Sequence, residues 1–163
     1  DLGTGSGCIA LTLARALPAC VVIGVELSWV SLRTACANGA RLGLSGRVAW
    51  VQGRWLEGIR GPVDGVISNP PYIPTAQVDR LPLEVRREPR LALDGGGDGM
   101  QELRALMAQV PRVLASGGVV AFECGEDQVE PMRRMAHAAS WVETATALTD
   151  LAARPRGIVM TRT

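Results

Sequence analysis

A glycine-rich turn at the start of the chain constrains the fold more than any other feature. Residues 1–7, DLGTGSG, carry glycine at alternate positions, and an apolar pattern with helical spacing follows over residues 7–17. This combination is typical of the turn between a first strand and a first helix, where glycine lets the backbone approach a ligand and the helix N-terminus is partly positive. A glycine-rich turn alone is equally compatible with a loop that only needs positive backbone dihedrals.

Strand and helix patterns alternate along the rest of the chain, which predicts an α/β fold with a doubly wound, mostly parallel sheet. We predict strands at 21–26, 48–53, 63–68, 118–124, 141–148 and 157–162, and helices near 7–17, 28–42, 99–115 and 127–139. Ser28 and Gly43 are expected to begin and end the second helix, and Pro111 to kink the third. Because the last two strands are joined by a short link, we expect them to pair antiparallel, with a reversed C-terminal strand at the sheet edge.

A carboxylate follows the predicted strand 21–26. Glu26 stands at the distance from the glycine turn where nucleotide-binding sheets place an acidic side chain on ribose hydroxyls. The turn and the carboxylate together predict a nucleoside site. The glycine spacing differs from the Gly-x-Gly-x-x-Gly form of dinucleotide sites, which disfavours NAD.

The tetrapeptide Asn69-Pro70-Pro71-Tyr72, which we call the NPPY turn, follows the apolar run 63–68. Prolines donate no backbone hydrogen bond, so the Asn69 and Pro70 carbonyls are expected to be free to face a ligand. An Asn side-chain oxygen and a neighbouring backbone carbonyl can accept the two hydrogens of a planar amino or amide nitrogen. The substrate atom is therefore expected to be nitrogen, although a tight turn after a buried strand also explains two prolines.

These motifs together resemble S-adenosylmethionine (SAM) methyltransferases of the Rossmann-like class I. Within that class the chain resembles the HemK family of protein-(glutamine-N5) methyltransferases, which modify the glutamine of the Gly-Gly-Gln motif in peptide chain release factors. The resemblance covers essentially all 163 residues and also includes the segments 88–89, 92–99, 123–125 and 150–157. The block 88–99 is the specific part, since the Asn-Pro-Pro-Tyr motif alone also occurs in adenine-N6 DNA methyltransferases and several RNA methyltransferases.

The resemblance implies SAM as the cofactor and a release factor as the protein partner, and it assigns roles to individual residues. Cofactor-binding residues are implied at Asp1, Gly3, Thr4, Gly5, Gly7, Glu26, Trp55 and Asn69. Substrate-binding residues are implied at Asn69, Pro70, Pro71 and Tyr72. Of these, Asn69, Pro70 and Tyr72 are the catalytic candidates: the Asn69 side chain and the Pro70 carbonyl each hold one amide hydrogen, and Tyr72 packs on the amide plane.

Arg54 departs from the family pattern. The family usually places an acidic residue there to contact the adenine amino group, and arginine cannot accept that hydrogen bond. Trp55 is then a candidate to contact the adenine ring, with ordinary core packing as the equal alternative.

Composition is that of one globular cytoplasmic domain, with 47% apolar and 20% charged residues. We expect no membrane contact, since no apolar stretch approaches about 20 residues. The four cysteines lack zinc spacing and His137 has no other ligand types nearby, so no metal is expected. The formal net charge of +1 argues against sequence-specific nucleic-acid binding.

The segment 73–98 has no periodicity and is expected to be a loop that forms a substrate-side lid, with arginines at 80, 86, 87 and 90.

We expect residues 1–163 to form one methyltransferase domain whose first strand is truncated, without the N-terminal helical domain that family members use to hold the release factor. Three alternatives stay open. They are a glutamine methyltransferase that acts on a ribosomal protein, an adenine-N6 DNA methyltransferase, and a nucleoside-binding module without catalytic activity. The first shares every motif named above.

Overall fold

The computed structural model describes all 163 residues, which form two compact units, Asp1–Arg60 and Gly61–Thr163. The one-domain organisation stays a prediction. No helix in the structure has both the length and the apolar character needed to cross a membrane.

The first unit contains two parallel strands and two helices. Its elements are α1 (Cys8–Ala16), β1 (Val22–Glu26), α2 (Trp29–Arg41) and β2 (Val48–Gln52). The two strands pair in register from Val22 with Val48 to Glu26 with Gln52, and Leu2 forms an isolated parallel bridge to Val25. The apolar stripe of α1 packs on these strands because its residues recur every three or four positions. The resulting core contains Ala10, Leu11, Ala14, Val22 and Val48.

The second unit contains a four-stranded mixed sheet in the order β3-β4-β6-β5. Its strands are β3 (Val63–Ser68), β4 (Leu114–Glu123), β5 (Val142–Thr149) and β6 (Pro155–Arg162). Its helices are α3 (Thr75–Val78), α4 (Leu83–Arg86), α5 (Gln101–Gln109) and α6 (Val129–Ala138), with 3-10 turns at Arg90–Ala92, Val110–Arg112 and Glu126–Gln128. The fully buried core includes Leu103, Leu106, Val120, Phe122, Met132, Ile158 and Met160.

The predicted antiparallel pairing of the last two strands is confirmed. β3 is parallel to β4, whereas β6 is antiparallel to both β4 and β5. The reversed orientation of the C-terminal strand is as predicted, but its predicted position at the sheet edge is wrong, because β6 lies between β4 and β5 and β5 is the outermost strand.

The predicted ends of α2 are confirmed. The Ser31 amide donates to the Ser28 Oγ at 3.3 Å, and Gly43 follows the helix with a φ of 69°. The prediction that Pro111 kinks a helix over 99–115 is wrong. The helix ends at Gln109, Pro111 lies in the 3-10 turn that follows, and β4 begins already at Leu114. A proline inside a helix removes a hydrogen bond and clashes with the preceding turn, and here the chain turns into a strand instead.

The segment 73–98 is more regular than predicted. It contains α3, α4 and the 3-10 turn Arg90–Ala92, and each of these begins directly after a proline, at Pro74, Pro82 and Pro89. The three prolines are N-caps with ψ angles of 133–147°, and each marks a helix start because proline is disfavoured inside a helix. Elements of three or four residues are too short to give the periodicity that sequence reasoning depends on.

Candidate active site

Asp1 ties the glycine turn to the start of α1. Its Oδ2 accepts hydrogen bonds from the Thr4 hydroxyl at 2.5 Å and from the Ala10 amide at 3.0 Å. Its Oδ1 is buried and has no hydrogen-bond partner in the structure. A buried carboxylate oxygen without a partner is energetically unfavourable, so the glycine turn has one acceptor available for a ligand.

Glu26, at the end of β1, lies against the same turn. Its Oε2 accepts from the Gly5 amide at 2.9 Å, and its Oε1 accepts from the Ser28 amide at 2.8 Å. Each carboxylate oxygen can accept more than one hydrogen bond, so both retain capacity after these contacts. The carboxylate therefore lies where the sequence predicted it, beside the glycine turn.

The three predicted glycines of the turn have different surroundings. A Cβ added at Gly7 would lie 2.9 Å from the Trp50 ring, and one at Gly3 would lie 3.2 Å from the Trp55 ring. A Cβ at Gly5 would meet only the Gly3 carbonyl oxygen, at 4.0 Å. Gly3 and Gly7 are thus in close contact with indole rings, while Gly5 has open space for a ligand.

Trp55 is 9% exposed and packs on Gly3, with a left-handed φ of 48° that is uncommon for a residue with a large side chain. Its contact with the predicted cofactor turn is direct. Its role in reading an adenine ring stays a prediction.

The NPPY turn follows β3 in the second unit. Ser68 and Pro70 are buried, whereas Asn69 between them is exposed. No group of the chain forms a hydrogen bond with the Asn69 side chain. The side-chain amide is consequently available to a ligand, while its neighbours hold the backbone in place.

The backbone carbonyl and the hydroxyl of Tyr72 are both hydrogen-bonded, the first by a residue that follows β4 and the second by the last residue of β4. The Gln128 Nε2 donates to the Tyr72 carbonyl oxygen at 2.8 Å, and the Tyr72 hydroxyl donates to the Glu123 Oε1 at 3.2 Å. Partial burial, reinforced by the Glu123 carboxylate, raises the pKa of the Tyr72 phenol. The phenol is therefore neutral at physiological pH.

The glycine-rich block 95–99 packs directly on the NPPY turn. Ile73 and Asp94 form a parallel bridge, in which the Ile73 amide donates to the Leu93 carbonyl at 3.0 Å. A Cβ at Gly95 would lie 2.7 Å from the Tyr72 Cα, and one at Gly99 would lie 2.3 Å from the Tyr72 carbonyl oxygen. Neither position has room for a larger residue.

A polar cluster connects the two ends of the segment 73–98. The Asp94 Oδ1 accepts from the Thr75 hydroxyl at 2.6 Å, and Arg90 donates to Asp94 at 3.2 Å and to Asp79 at 2.9 Å. The Thr75 hydroxyl and the Gly96 amide, with Arg90 nearby, lower the pKa of Asp94. Arg90 thus has a defined structural role within the predicted lid.

Comparison with known proteins decides the family. Residues 1–98, more than half of the chain, match the model of the methyltransferase small domain family. The chain belongs to this family.

Curated relatives of this methyltransferase chain include release factor glutamine methyltransferases. It is 43% identical over 159 residues to the release factor glutamine methyltransferase of Bradyrhizobium diazoefficiens, covering 97% of this chain and 54% of that protein. It is 44% identical over 157 residues to the release factor glutamine methyltransferase of Moorella thermoacetica, covering 96% of this chain and 56% of that protein. The chain spans about half the length of the curated relatives it matches.

A solved structure supports the fold of this methyltransferase chain. The O-methyltransferase from Bacillus cereus in complex with SAH superimposes with a TM-score of 0.67 at 19% identity, covering 99% of this chain and 71% of that chain. This likeness shows the class I SAM-dependent methyltransferase fold that the sequence predicted.

The sequence-predicted residues of this methyltransferase chain form two groups. Within the first unit the structure brings together Asp1 with Thr4, Gly5 with Glu26, and Gly3 with Trp55, and within the second it places Asn69, Pro70, Pro71 and Tyr72 in one turn. Their assigned roles in cofactor and substrate binding stay predictions. No group of three or more His, Cys, Asp and Glu residues suited to a metal ion occurs in the structure.

Sequence reasoning missed Gln128. A signal for it was present: Gln128 stands three residues after Gly125, at the start of a helical segment, and its side chain accepts from the Gly125 amide at 2.9 Å. That spacing is typical of a side chain that reaches back to satisfy the first amide of a helix. Its second contact, with Tyr72, is 56 residues away along the chain and has no local signature.

Proposed function

We propose that this chain transfers the methyl group of SAM to the side-chain amide nitrogen of a glutamine, the Gly-Gly-Gln glutamine of peptide chain release factors. The relatives at 43% and 44% identity support this substrate by their names. The observation that carries the proposal is the NPPY turn, in which an exposed Asn69 amide without an internal partner stands between buried neighbours.

The residues of the glycine turn fit a SAM cofactor. The unpartnered Asp1 Oδ1 is an acceptor for a cationic or N–H group, and the Glu26 carboxylate retains lone pairs for ribose hydroxyls. Gly5 leaves open space at the turn for close approach of a ligand. When bound, SAM supplies an electrophilic methyl group on a sulfonium.

The chain's own contribution is to orient the nitrogen. A glutamine amide nitrogen is a weak nucleophile because its lone pair is delocalised into the carbonyl. The Asn69 side-chain oxygen and the Pro70 carbonyl each accept one amide hydrogen, which directs the lone pair at the methyl carbon. Bound SAM would supply the methyl group and leave as its thioether product with the electron pair of the S–C bond, and the methylated nitrogen would release a proton to solvent.

Orientation of the reacting nitrogen accounts for a large part of the expected rate enhancement. Holding two reacting atoms in a near-attack geometry contributes about 7 to 11 kcal/mol of the barrier, so no separate general base is needed. The Asn69 side chain has no polar partner inside the chain that would hold it in another conformation, so it can adopt the one that binds the substrate amide.

Mass spectrometry of methylated products tests the substrate. The protein in its full-length form is incubated with methyl-labelled SAM and, in separate reactions, a release factor, ribosomal proteins and DNA. The proposal expects one methyl group on the Gly-Gly-Gln glutamine of the release factor. Methylation of a ribosomal-protein glutamine or of DNA adenine in its place would overturn the proposed substrate.

The variant Asn69→Ala tests the role of the turn. Because the lost contact orients the reacting nitrogen, single-turnover methylation should fall by about 10²-fold while SAM affinity stays nearly unchanged. Asn69→Asp should also be impaired, since a carboxylate changes both geometry and charge. The matched control is Thr34→Ala, an exposed polar residue on α2 that contacts only the carbonyl of Val30 and should retain full activity. An Asn69→Ala protein as active per folded molecule as the parent would contradict the orienting role.

A further inference from the structure

We propose that Gln128 is a positioning residue of the reaction. Its hydrogen bond to the Tyr72 carbonyl keeps the NPPY turn in the conformation that orients the substrate amide. The inference rests on the proposed function, and it adds a residue that lies outside every motif from which that function was derived. Gln128 ends the 3-10 turn Glu126–Gln128, between β4 and α6.

Both ends of the Gln128 amide are engaged. Its Nε2 donates to the Tyr72 carbonyl at 2.8 Å, its Oε1 accepts from the Gly125 amide at 2.9 Å, and the residue is 5% exposed. A backbone N–H can only donate and a backbone carbonyl can only accept, so the amide has one orientation that satisfies both partners. Gln128 therefore couples the end of the NPPY turn to the loop that follows β4.

The NPPY turn depends on outside contacts of this kind. Pro70 and Pro71 have no N–H, so the turn lacks two of the donors that would otherwise fasten it to neighbouring backbone. The Tyr72 carbonyl is the acceptor directly after them. A Cβ at Gly99 would lie 2.3 Å from this carbonyl and 2.6 Å from the Gln128 Nε2, so the contact is closely packed as well as hydrogen-bonded.

Loss of the donor should affect the chemical step more than binding. Without Gln128 Nε2 the Tyr72 carbonyl has lost its donor, and the turn can shift to find another. Small displacements of a reacting group reduce rates strongly because they disturb the near-attack geometry. We expect kcat to fall by about 10- to 100-fold while the KM values for SAM and the protein substrate stay within about twofold.

Two variants separate the hydrogen bond from the shape of the side chain. Gln128→Met has a similar length and loses both hydrogen bonds, whereas Gln128→Glu retains an acceptor for the Gly125 amide and replaces the donor to Tyr72 with a charged carboxylate oxygen. Both should lower kcat. Arg133→Met is the matched control, since Arg133 is exposed on the neighbouring helix α6 and forms an ion pair with Glu130. It should leave kcat unchanged.

A second measurement is independent of activity. The chain has one tyrosine, so labelling of tyrosine carbonyl carbon with ¹³C gives a single signal from this chain, that of Tyr72. The signal should move upfield in both Gln128 variants, because a carbonyl that loses a hydrogen bond becomes more shielded, and should stay in place in Arg133→Met.

The two measurements also separate this inference from the proposed function. If the parent methylates none of the substrates, the proposed function fails and the carbonyl signal alone judges whether Gln128 holds the turn. The positioning role is overturned if the Tyr72 signal does not move. It is equally overturned if folded Gln128→Met retains the parent kcat, or if its activity falls only in proportion to its folded fraction in a melting curve.

Discussion

The side-chain hydrogen bonds of the glycine turn and of the NPPY turn join residues at very different separations along the chain. In the glycine turn, Asp1 bonds to Thr4 and Ala10, three and nine residues away, and Glu26 bonds to Gly5, 21 residues away. In the NPPY turn, Tyr72 bonds to residues 51 and 56 positions further along the chain. These hydrogen bonds of the glycine turn thus stay within residues 1–26, whereas those of Tyr72 come from the last residue of β4 and from the 3-10 turn that follows it.

The two turns also differ in what they leave available. The glycine turn keeps an unpartnered carboxylate oxygen and open space at Gly5. In the NPPY turn, the carbonyl and the hydroxyl of Tyr72 are both hydrogen-bonded within the chain, whereas the Asn69 side chain has no partner there. We infer that a turn that binds a ligand can stay open, whereas a turn that orients a reacting atom must be immobilised.

The largest effect that tests this comparison is expected for Gly99→Ala. The new Cβ would lie 2.3 Å from the Tyr72 carbonyl, at a φ of 74° that disfavours any side chain. Overpacking and backbone strain together should lower the free energy of unfolding by about 2 to 5 kcal/mol. Denaturant unfolding measures the change.

Gly97→Ala is the control for that variant, because Gly97 has nothing within 4 Å of an added Cβ and no positive φ. Its stability should equal or slightly exceed that of the parent, by at most about 1 kcal/mol. Equal stabilities for the alanine variants at 97 and 99 would show that the NPPY turn is not tightly held.

The next effect tests the proposed role of Glu26 in cofactor binding. Glu26→Gln removes the charge and leaves one oxygen to serve both the Gly5 and Ser28 amides, so one amide loses its acceptor. In the proposed complex the carboxylate also accepts from the ribose hydroxyls, and because hydrogen bonds to charged groups contribute about 1.5 to 3 kcal/mol, SAM affinity should weaken by about 10- to 100-fold. Isothermal calorimetry measures the change.

Gly5→Ala tests whether the glycine turn is open at this position. The space at Gly5 is open, so only the left-handed backbone opposes alanine, at about 1 to 2 kcal/mol of stability. If Gly5→Ala were to destabilise the protein more than Gly99→Ala does, the contrast between an open and a closely packed turn would be wrong.

The smallest effect concerns the Tyr72 phenol. Burial and then Glu123 raise its pKa above the ordinary value of 10.0. In a pH titration, the phenolate absorbance of this single tyrosine should therefore appear at a higher pH than that of free tyrosine. Glu123→Gln should lower the pKa only part of the way, because burial is the larger cause. A pKa that does not move in Glu123→Gln would mean that the phenol and the carboxylate are not in contact in solution.

Local sequence was sufficient for most of the elements. The strand β1, the Ser28 cap and the Gly43 helix end follow from residues within one turn of each feature, and the structure has all three. Alternation of strand and helix patterns predicted a mostly parallel sheet, and the short link between the last two strands predicted their antiparallel pairing. Where a short element lacked periodicity, as in α3 and α4, or where proline ended a helix before β4, local reasoning failed.

The sequence by itself therefore determined the α/β class, the glycine turn with its carboxylate, and the presence of an Asn-Pro-Pro-Tyr segment after a strand. Only the tertiary structure decided that β6 lies between β4 and β5, that Gly99 packs against Tyr72, and that Gln128 and Glu123 hold its two ends. The physical reason is range. A cap or a glycine turn is set by dihedral preferences of neighbouring residues, whereas a hydrogen bond between residues 56 positions apart exists only after the sheet has brought them together.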